Sequence, residues 1–181
     1  MEIDDPFQYL TQAEQLYSED EMVAAILGMS ERLNQDYLKE QPIVLCVMNG
    51  GLFFTGQLLP KLTFPFELDY VHATRYHGKT SGKKVKWIVK PKVSIKNRSI
   101  LILDDILDEG VTLRSILDHC LLLGAKQVKV AVLVEKIINK SKPISADYVA
   151  VTVPDRYVFG CGMDVYGWWR NLPVIYAFNN N

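Results

Sequence analysis

Cysteine and histidine are scarce in this chain, with three of each in 181 residues. Cys46, Cys120 and Cys161 are odd in number, far apart and set among apolar neighbours. That argues against a disulfide framework and reads better as buried free thiols in a reducing compartment. None is followed by a base close in sequence, so nothing supports a cysteine nucleophile. An excess of one charge is also missing. Twenty basic residues against 21 acidic ones leave a net charge of −1, which argues against a dedicated nucleic-acid binder. No apolar run reaches membrane-spanning length. The acidic start, Met1 to Asp5, lacks the basic opening of a signal peptide, so the expected location is the cytoplasm. Repeats and low-complexity tracts are absent.

What is present is core-forming. The chain is 49% hydrophobic, and its length fits one domain over residues 1–181. Ser18, followed by Glu21 three residues on, has the form of a capping box. Met22, Ile26, Met29, Leu33 and Tyr37 then recur at helical spacing, predicting a helix of about five turns. Apolar patterning predicts strands at 43–48, 66–74, 85–89, 100–103, 128–134, 148–153 and 174–178. Helices are predicted after Asn49-Gly50-Gly51, up to about Leu59, and over 113–123, where Gly124 supplies a left-handed cap. Strands alternating with helices indicate an α/β fold, a mostly parallel twisted sheet flanked by helices.

The stretch from Ile100 to Thr112 carries most of the functional information. Four apolar residues lead to Asp104 and Asp105; Asp108, Glu109, Gly110, Val111 and Thr112 follow. Ligands of open α/β sheets bind beyond the carboxyl ends of strands. The free N–H groups that open the next helix attract anions. Gly110 lets the chain approach a phosphate, and Thr112 can donate a hydroxyl. The carboxylates suit other partners, either vicinal ribose hydroxyls or a hard cation such as magnesium. A bare pair of aspartates in a turn is more often structural, because Asx side chains bond their own backbone. The ordered set of apolar run, Asp-Asp, third Asp and Gly-x-Thr is much rarer, and points to a sugar phosphate bound with its metal.

This motif resembles the phosphoribosyl-diphosphate signature of the type I phosphoribosyltransferases, and most of residues 41–178 is similar to their hypoxanthine-guanine branch. The resemblance implies a core of about 41–153 and a small hood from 1–17 and 154–181. It implies transfer of phosphoribosyl from its α-1-diphosphate to N9 of hypoxanthine or guanine, with Mg2+, by a homodimer or homotetramer without nucleic-acid or membrane partners. Asp104 and Asp105 would hold ribose hydroxyls or waters of the metal. Asp108 would be the general base at N7, and Asp108, Glu109, Gly110, Val111 and Thr112 would bind the phosphoribosyl diphosphate.

The same resemblance extends to weaker motifs. Asn49-Gly50-Gly51, in itself an ordinary strand-to-helix turn, becomes a diphosphate loop with a non-proline cis peptide near Met48–Asn49; Asn49 stands where many relatives have Lys. Residues 75–84, in themselves a solvated hairpin tip, become a closing lid led by Arg75 and Tyr76, with His77 given a lid or solvent role. Arg75 replaces the usual Ser. Lys136, otherwise one surface lysine among many, would donate to the purine's exocyclic oxygen and so select a 6-oxo group. Tyr157 would stack on the purine and backbone near Val158 would read its edge. Asp164 would bind magnesium and Arg170 the diphosphate. Trp168 and Trp169 are assigned to the core, and Arg156 keeps the charge of a usual Lys. Glu109, where relatives have Thr, would repel phosphate and is expected to turn outward with Arg114 close enough to pair. A phosphoribosyltransferase for another base such as xanthine, or a non-catalytic nucleotide-binding regulator, remains an alternative. A receiver-type signalling domain fits the spacing of the acidic residues poorly.

Overall fold

The computed structural model describes residues 5–75 and 85–178. The described elements are α1 (Gln8–Thr11), β1 (Ala13–Tyr17), α2 (Glu19–Asp36), β2 (Ile43–Met48), α3 (Gly51–Leu58) with a 3-10 turn over Leu59–Lys61, β3 (Glu67–Arg75), β4 (Val85–Val89), β5 (Ser99–Leu107), α4 (Val111–Leu122), β6 (Gln127–Ile137), β7 (Tyr148–Pro154), β8 (Val158–Phe159) and β9 (Ile175–Phe178). Six strands form one sheet in the order β4-β3-β2-β5-β6-β7. It is parallel except for the antiparallel pair β3–β4. The ends of the described chain build a second sheet, β1-β9-β8, which is antiparallel.

Local chemistry explains where α2 begins. Ser18 accepts from the Glu21 N–H while the Glu21 carboxylate accepts from the Ser18 N–H, a reciprocal capping box that satisfies two otherwise orphaned donors. Acidic residues at 19–21 also suit the positive end of the helix dipole. Met22, Ile26, Met29 and Leu33 then bury one stripe of the helix. They pack on one face of the main sheet together with Phe54 and Leu58 of α3 and Leu101 and Leu103 of β5. The other face takes Ile100 and Ile102, joined by Leu113, Ile116 and Cys120 of α4. Burial on both faces is why β2 and β5 read as continuous apolar runs rather than alternating ones. All three cysteines are buried and free. No helix among the described residues is long and apolar enough to cross a membrane.

Strand ends depart from expectation in one informative way. The run 100–103 was expected to be the whole central strand, with Asp104 and Asp105 beyond its end. In the structure β5 continues to Leu107, so the acidic pair lies within the strand. The cause is its neighbours. β2 pairs with β5 only up to Cys46 opposite Leu103, whereas β6 pairs with it up to Leu107 opposite Glu135. From Asp104 onward, β5 therefore keeps a partner on one side only. β6 is likewise longer than predicted and includes Lys136, and α4 starts two residues early, at Val111.

Because Ile102 is fully buried in the α4-side core, Ile102→Ala should destabilise the protein by about 2–5 kcal/mol. Denaturant unfolding measures this; a loss well under 1 kcal/mol would contradict the packing described.

Candidate active site

The gap left where β2 stops is the centre of the site. Asp104 is buried, with 7% of its surface exposed, and Asp105 is half-buried. The Asp105 N–H donates to Asp104 Oδ1 at 2.9 Å, and the Ile106 N–H donates to Asp105 Oδ1 at 2.8 Å. Burial pushes the Asp104 carboxyl well above the usual carboxylate range, and the neighbouring Asp105 charge pushes it further. Burial raises Asp105 too, against the lowering effects of hydrogen bonds from Asp104 and the Ile106 N–H and of the Arg170 charge. Two adjacent carboxylates in a desolvated setting resist simultaneous ionisation. A bound cation would relieve that conflict.

The walls come from three places. The turn after β2 supplies Asn49 and Gly50, and the peptide between Met48 and Asn49 is cis. Gly50 lies directly against the acidic pair: a Cβ there would fall 1.8 Å from Asp105 Oδ2. From the terminal sheet's side, Gly162 lies against Gly50, where a Cβ would fall 2.1 Å from the Gly50 carbonyl oxygen. The Arg170 guanidinium donates to the Gly162 carbonyl at 2.7 Å and forms an ion pair with Asp164. The third wall is the start of α4. Gly110 caps it in the left-handed conformation (φ 77°), with no side-chain cap. The first N–H groups of the helix, with Thr112 in its first turn, thus make an end whose dipole suits an anion.

Two adjoining cavities of about 220 Å³ each share Asp105, Ile106 and Asp108. One is lined by Gly50, Asp104, Gly110 and Thr112. The other is lined by Lys136, Tyr157, Val158, Met163 and Asp164. Asp108 stands between them and meets Lys136 Nζ at 3.0 Å. Tyr157 is 48% exposed and stacks on Tyr166, with ring centroids 6.5 Å apart; its hydroxyl donates to the Asp164 carbonyl.

Most residues singled out from sequence thus converge. Arg75 ends β3, and Tyr76, His77 and the rest of the stretch to residue 84 lie outside the described residues. Among the described residues no three His, Cys, Asp or Glu side chains are grouped to hold a metal, so Asp164 does not complete a cluster with Asp104 and Asp105. Glu109 is exposed, in keeping with an outward orientation. Arg114 pairs with Asp118 at 2.7 Å, one turn further along α4, as helical i,i+4 spacing allows. Trp168 is not a core residue, being 56% exposed. Trp169 is half-buried and donates to the Pro6 carbonyl. Arg156 pins β9, donating to the Phe178 carbonyl and pairing with Glu14. Sequence reading missed Gly162, whose only signal was its place in Gly160-Cys161-Gly162.

With this geometry in view, comparison with known proteins is decisive. The phosphoribosyl transferase domain model matches residues 12–167. The chain belongs to that family, in its hypoxanthine-guanine branch. It is 32% identical over 161 residues to the hypoxanthine-guanine phosphoribosyltransferase of Streptococcus pyogenes serotype M3, covering 88% of this chain and 89% of that one. Identity is also 32% to the hypoxanthine-guanine-xanthine phosphoribosyltransferase of Tritrichomonas foetus, covering 88% of each chain. The crystal structure of a hypoxanthine phosphoribosyltransferase from Staphylococcus aureus superposes with a TM-score of 0.88 at 26% identity, covering 98% of this chain and 97% of that one.

Two substitutions probe the site of this phosphoribosyltransferase. Gly50→Ala forces a methyl into Asp105 and should raise the KM for phosphoribosyl diphosphate by about 10- to 100-fold; an unchanged KM would contradict the contact. Asp104→Asn should stabilise the unliganded protein at neutral pH. A carboxylate whose folded pKa is raised destabilises the fold once ionised. That penalty is present above the folded pKa and fades as pH falls toward the unfolded value, about 3.9. Calorimetric Tm should therefore be higher in the variant at pH 7 and converge with wild type by about pH 4; a lower Tm at pH 7 would contradict the charge conflict.

Proposed function

We propose that this protein is a purine-salvage enzyme. It transfers phosphoribosyl from 5-phospho-α-D-ribosyl 1-diphosphate to N9 of hypoxanthine or guanine, giving IMP or GMP and diphosphate. The observation that carries the reading is the pair of cavities meeting at Asp108. One is acidic and ends on a helix N-terminus; the other offers a lysine and an aromatic face.

In this reading the 5-phosphate sits on the first N–H groups of α4 and on Thr112, along the loop from Asp108 and Glu109 to Gly110 and Val111. Asp104 and Asp105 accept from the ribose hydroxyls, and Asn49, Gly50 and Arg170 face the diphosphate. In the second cavity Tyr157 stacks on the purine, the backbone at Val158 reads its edge, and Lys136 donates to the 6-oxo group. The C1–O bond to diphosphate breaks as the N9–C1 bond forms, and the diphosphate leaves with the bonding pair. Asp108 takes the N7 proton of the base. For this it must part from Lys136, and the purine oxygen is what draws the ammonium away.

The acidic pair suits Mg2+, which needs one or two carboxylates and fills its remaining positions with water and substrate phosphates. Asp104 and Asp105 would hold it. When bound it supplies positive charge to the departing diphosphate. Buried free thiols fit a reducing cytoplasm, and we place the enzyme there as a homodimer or homotetramer.

The direct test is turnover of purified protein with phosphoribosyl diphosphate, Mg2+ and a panel of bases. Xanthine belongs in the panel because the equally similar Tritrichomonas foetus relative is a hypoxanthine-guanine-xanthine enzyme. Hypoxanthine or guanine should react and adenine should not; no turnover with any 6-oxopurine would leave a nucleotide-binding regulator as the better account. Asp108→Asn should lower kcat by about 10²- to 10⁴-fold while leaving phosphoribosyl diphosphate binding nearly intact. Near-normal turnover would remove Asp108 from the base role. Lys136→Ala should chiefly raise the purine KM, by about 10- to 100-fold, and an unchanged purine KM would contradict its assignment.

A further inference from the structure

We propose that Lys142, in the connection between β6 and β7, is a positioning residue whose ammonium braces the ends of β5 and β6 and so fixes Asp108 against Lys136. The proposal rests on the phosphoribosyl-transfer reading above. Lys142 Nζ donates to the Leu107 carbonyl at 3.1 Å, to the Lys136 carbonyl at 2.7 Å and to Glu135 Oε1 at 3.0 Å. An ammonium has three N–H donors, and all three are engaged. The side chain is only 12% exposed, so little water is at hand to replace a lost partner.

The location of those acceptors gives the brace its meaning. Leu107 is the last residue of β5, and Leu107 opposite Glu135 closes the β5–β6 ladder. Beyond that pair the strands no longer bond each other, and their terminal carbonyls need other donors. One cation supplies both. The next residue after Leu107 is Asp108, and Lys136 owns the second carbonyl, so the side chains that meet at 3.0 Å issue directly from the braced backbone. The same segment also supports the phosphate end of the site: a Cβ on Gly110 would meet Ile144 Cγ2 at 2.9 Å and Pro143 Cδ at 3.5 Å. Pro143 restricts Lys142 to extended conformations, which limits the freedom the brace must remove. Nothing in the sequence marks this lysine apart from Lys140 two positions earlier.

The test compares steady-state kinetics of wild type, Lys142→Ala, Glu135→Gln and, as a neighbouring control, Lys140→Ala. Lys142→Ala should lose about 10- to 100-fold in kcat and raise the purine KM, with the KM for phosphoribosyl diphosphate within about twofold. Glu135→Gln leaves both carbonyl bonds in place and should lose less, about three- to tenfold in kcat. Lys140→Ala should behave as wild type. The vacated space opens on a groove of about 760 Å³ lined by Glu135, Lys136 and Pro143, so added ethylammonium should restore kcat of Lys142→Ala severalfold while ethanol does not. A purely structural lysine would give a loss of folded protein that the amine does not repair. Normal kcat and purine KM in folded Lys142→Ala overturn the brace, and so does normal kcat in folded Glu135→Gln should the alanine variant not fold. Either result with an active wild type leaves the transferase reading intact, whereas a wild type inactive on every 6-oxopurine overturns both.

Discussion

Asp104 and Asp105 stand side by side at the point where the central strand has lost its neighbour β2 but still bonds β6. That placement is unfavourable in the free protein, because burial pushes both carboxyls toward the protonated form and the Asp105 charge pushes Asp104 further. The surrounding structure is arranged around the conflict and does not remove it. Gly50 and Gly162 give up side chains so that the β2 turn and the terminal sheet can close on the acids. Arg170, anchored on Gly162, brings a positive charge near Asp105. Stability is surrendered locally for a seat that a cation and its phosphorylated sugar can complete.

The other charges of the site are already paired. Lys136 holds Asp108, and Arg170 holds Asp164. Pairing spares each group the cost of standing unpartnered in a half-buried cleft. It also sets the order of events. In the proposed reaction each pair must open, and the incoming groups that open them, a 6-oxo oxygen and a diphosphate, are those the reaction needs. Lys142 keeps the backbone beneath the first pair in place while that exchange occurs.

Much of this was legible in the sequence. The Ser18 capping box, the left-handed Gly124 and the apolar core runs are local signals, and each forms as its chemistry dictates. The acidic stretch after Leu103 was legible because its residue types and order are rare in combination. Strand length was not, since β5 ends where β6 stops pairing with it and not where its own apolar run stops. Contacts between segments far apart in sequence were equally hidden. Gly162 on Gly50, Lys142 on Leu107 and the exposure of Trp168 follow from how the elements pack. The Arg114–Asp118 ion pair, at i,i+4 spacing on α4, was legible in the sequence but went unread.

The central claim is that the acidic pair on β5 is completed by a cation arriving with phosphoribosyl diphosphate. Thermal unfolding of the wild type with that ligand, run with Mg2+ and again with a chelator, tests it through linkage, since a ligand that binds only the folded state raises Tm with concentration. A concentration-dependent rise that requires the metal, and that disappears in Asp105→Asn, agrees with the claim. An equal rise with chelator, or an undiminished rise in Asp105→Asn, contradicts it.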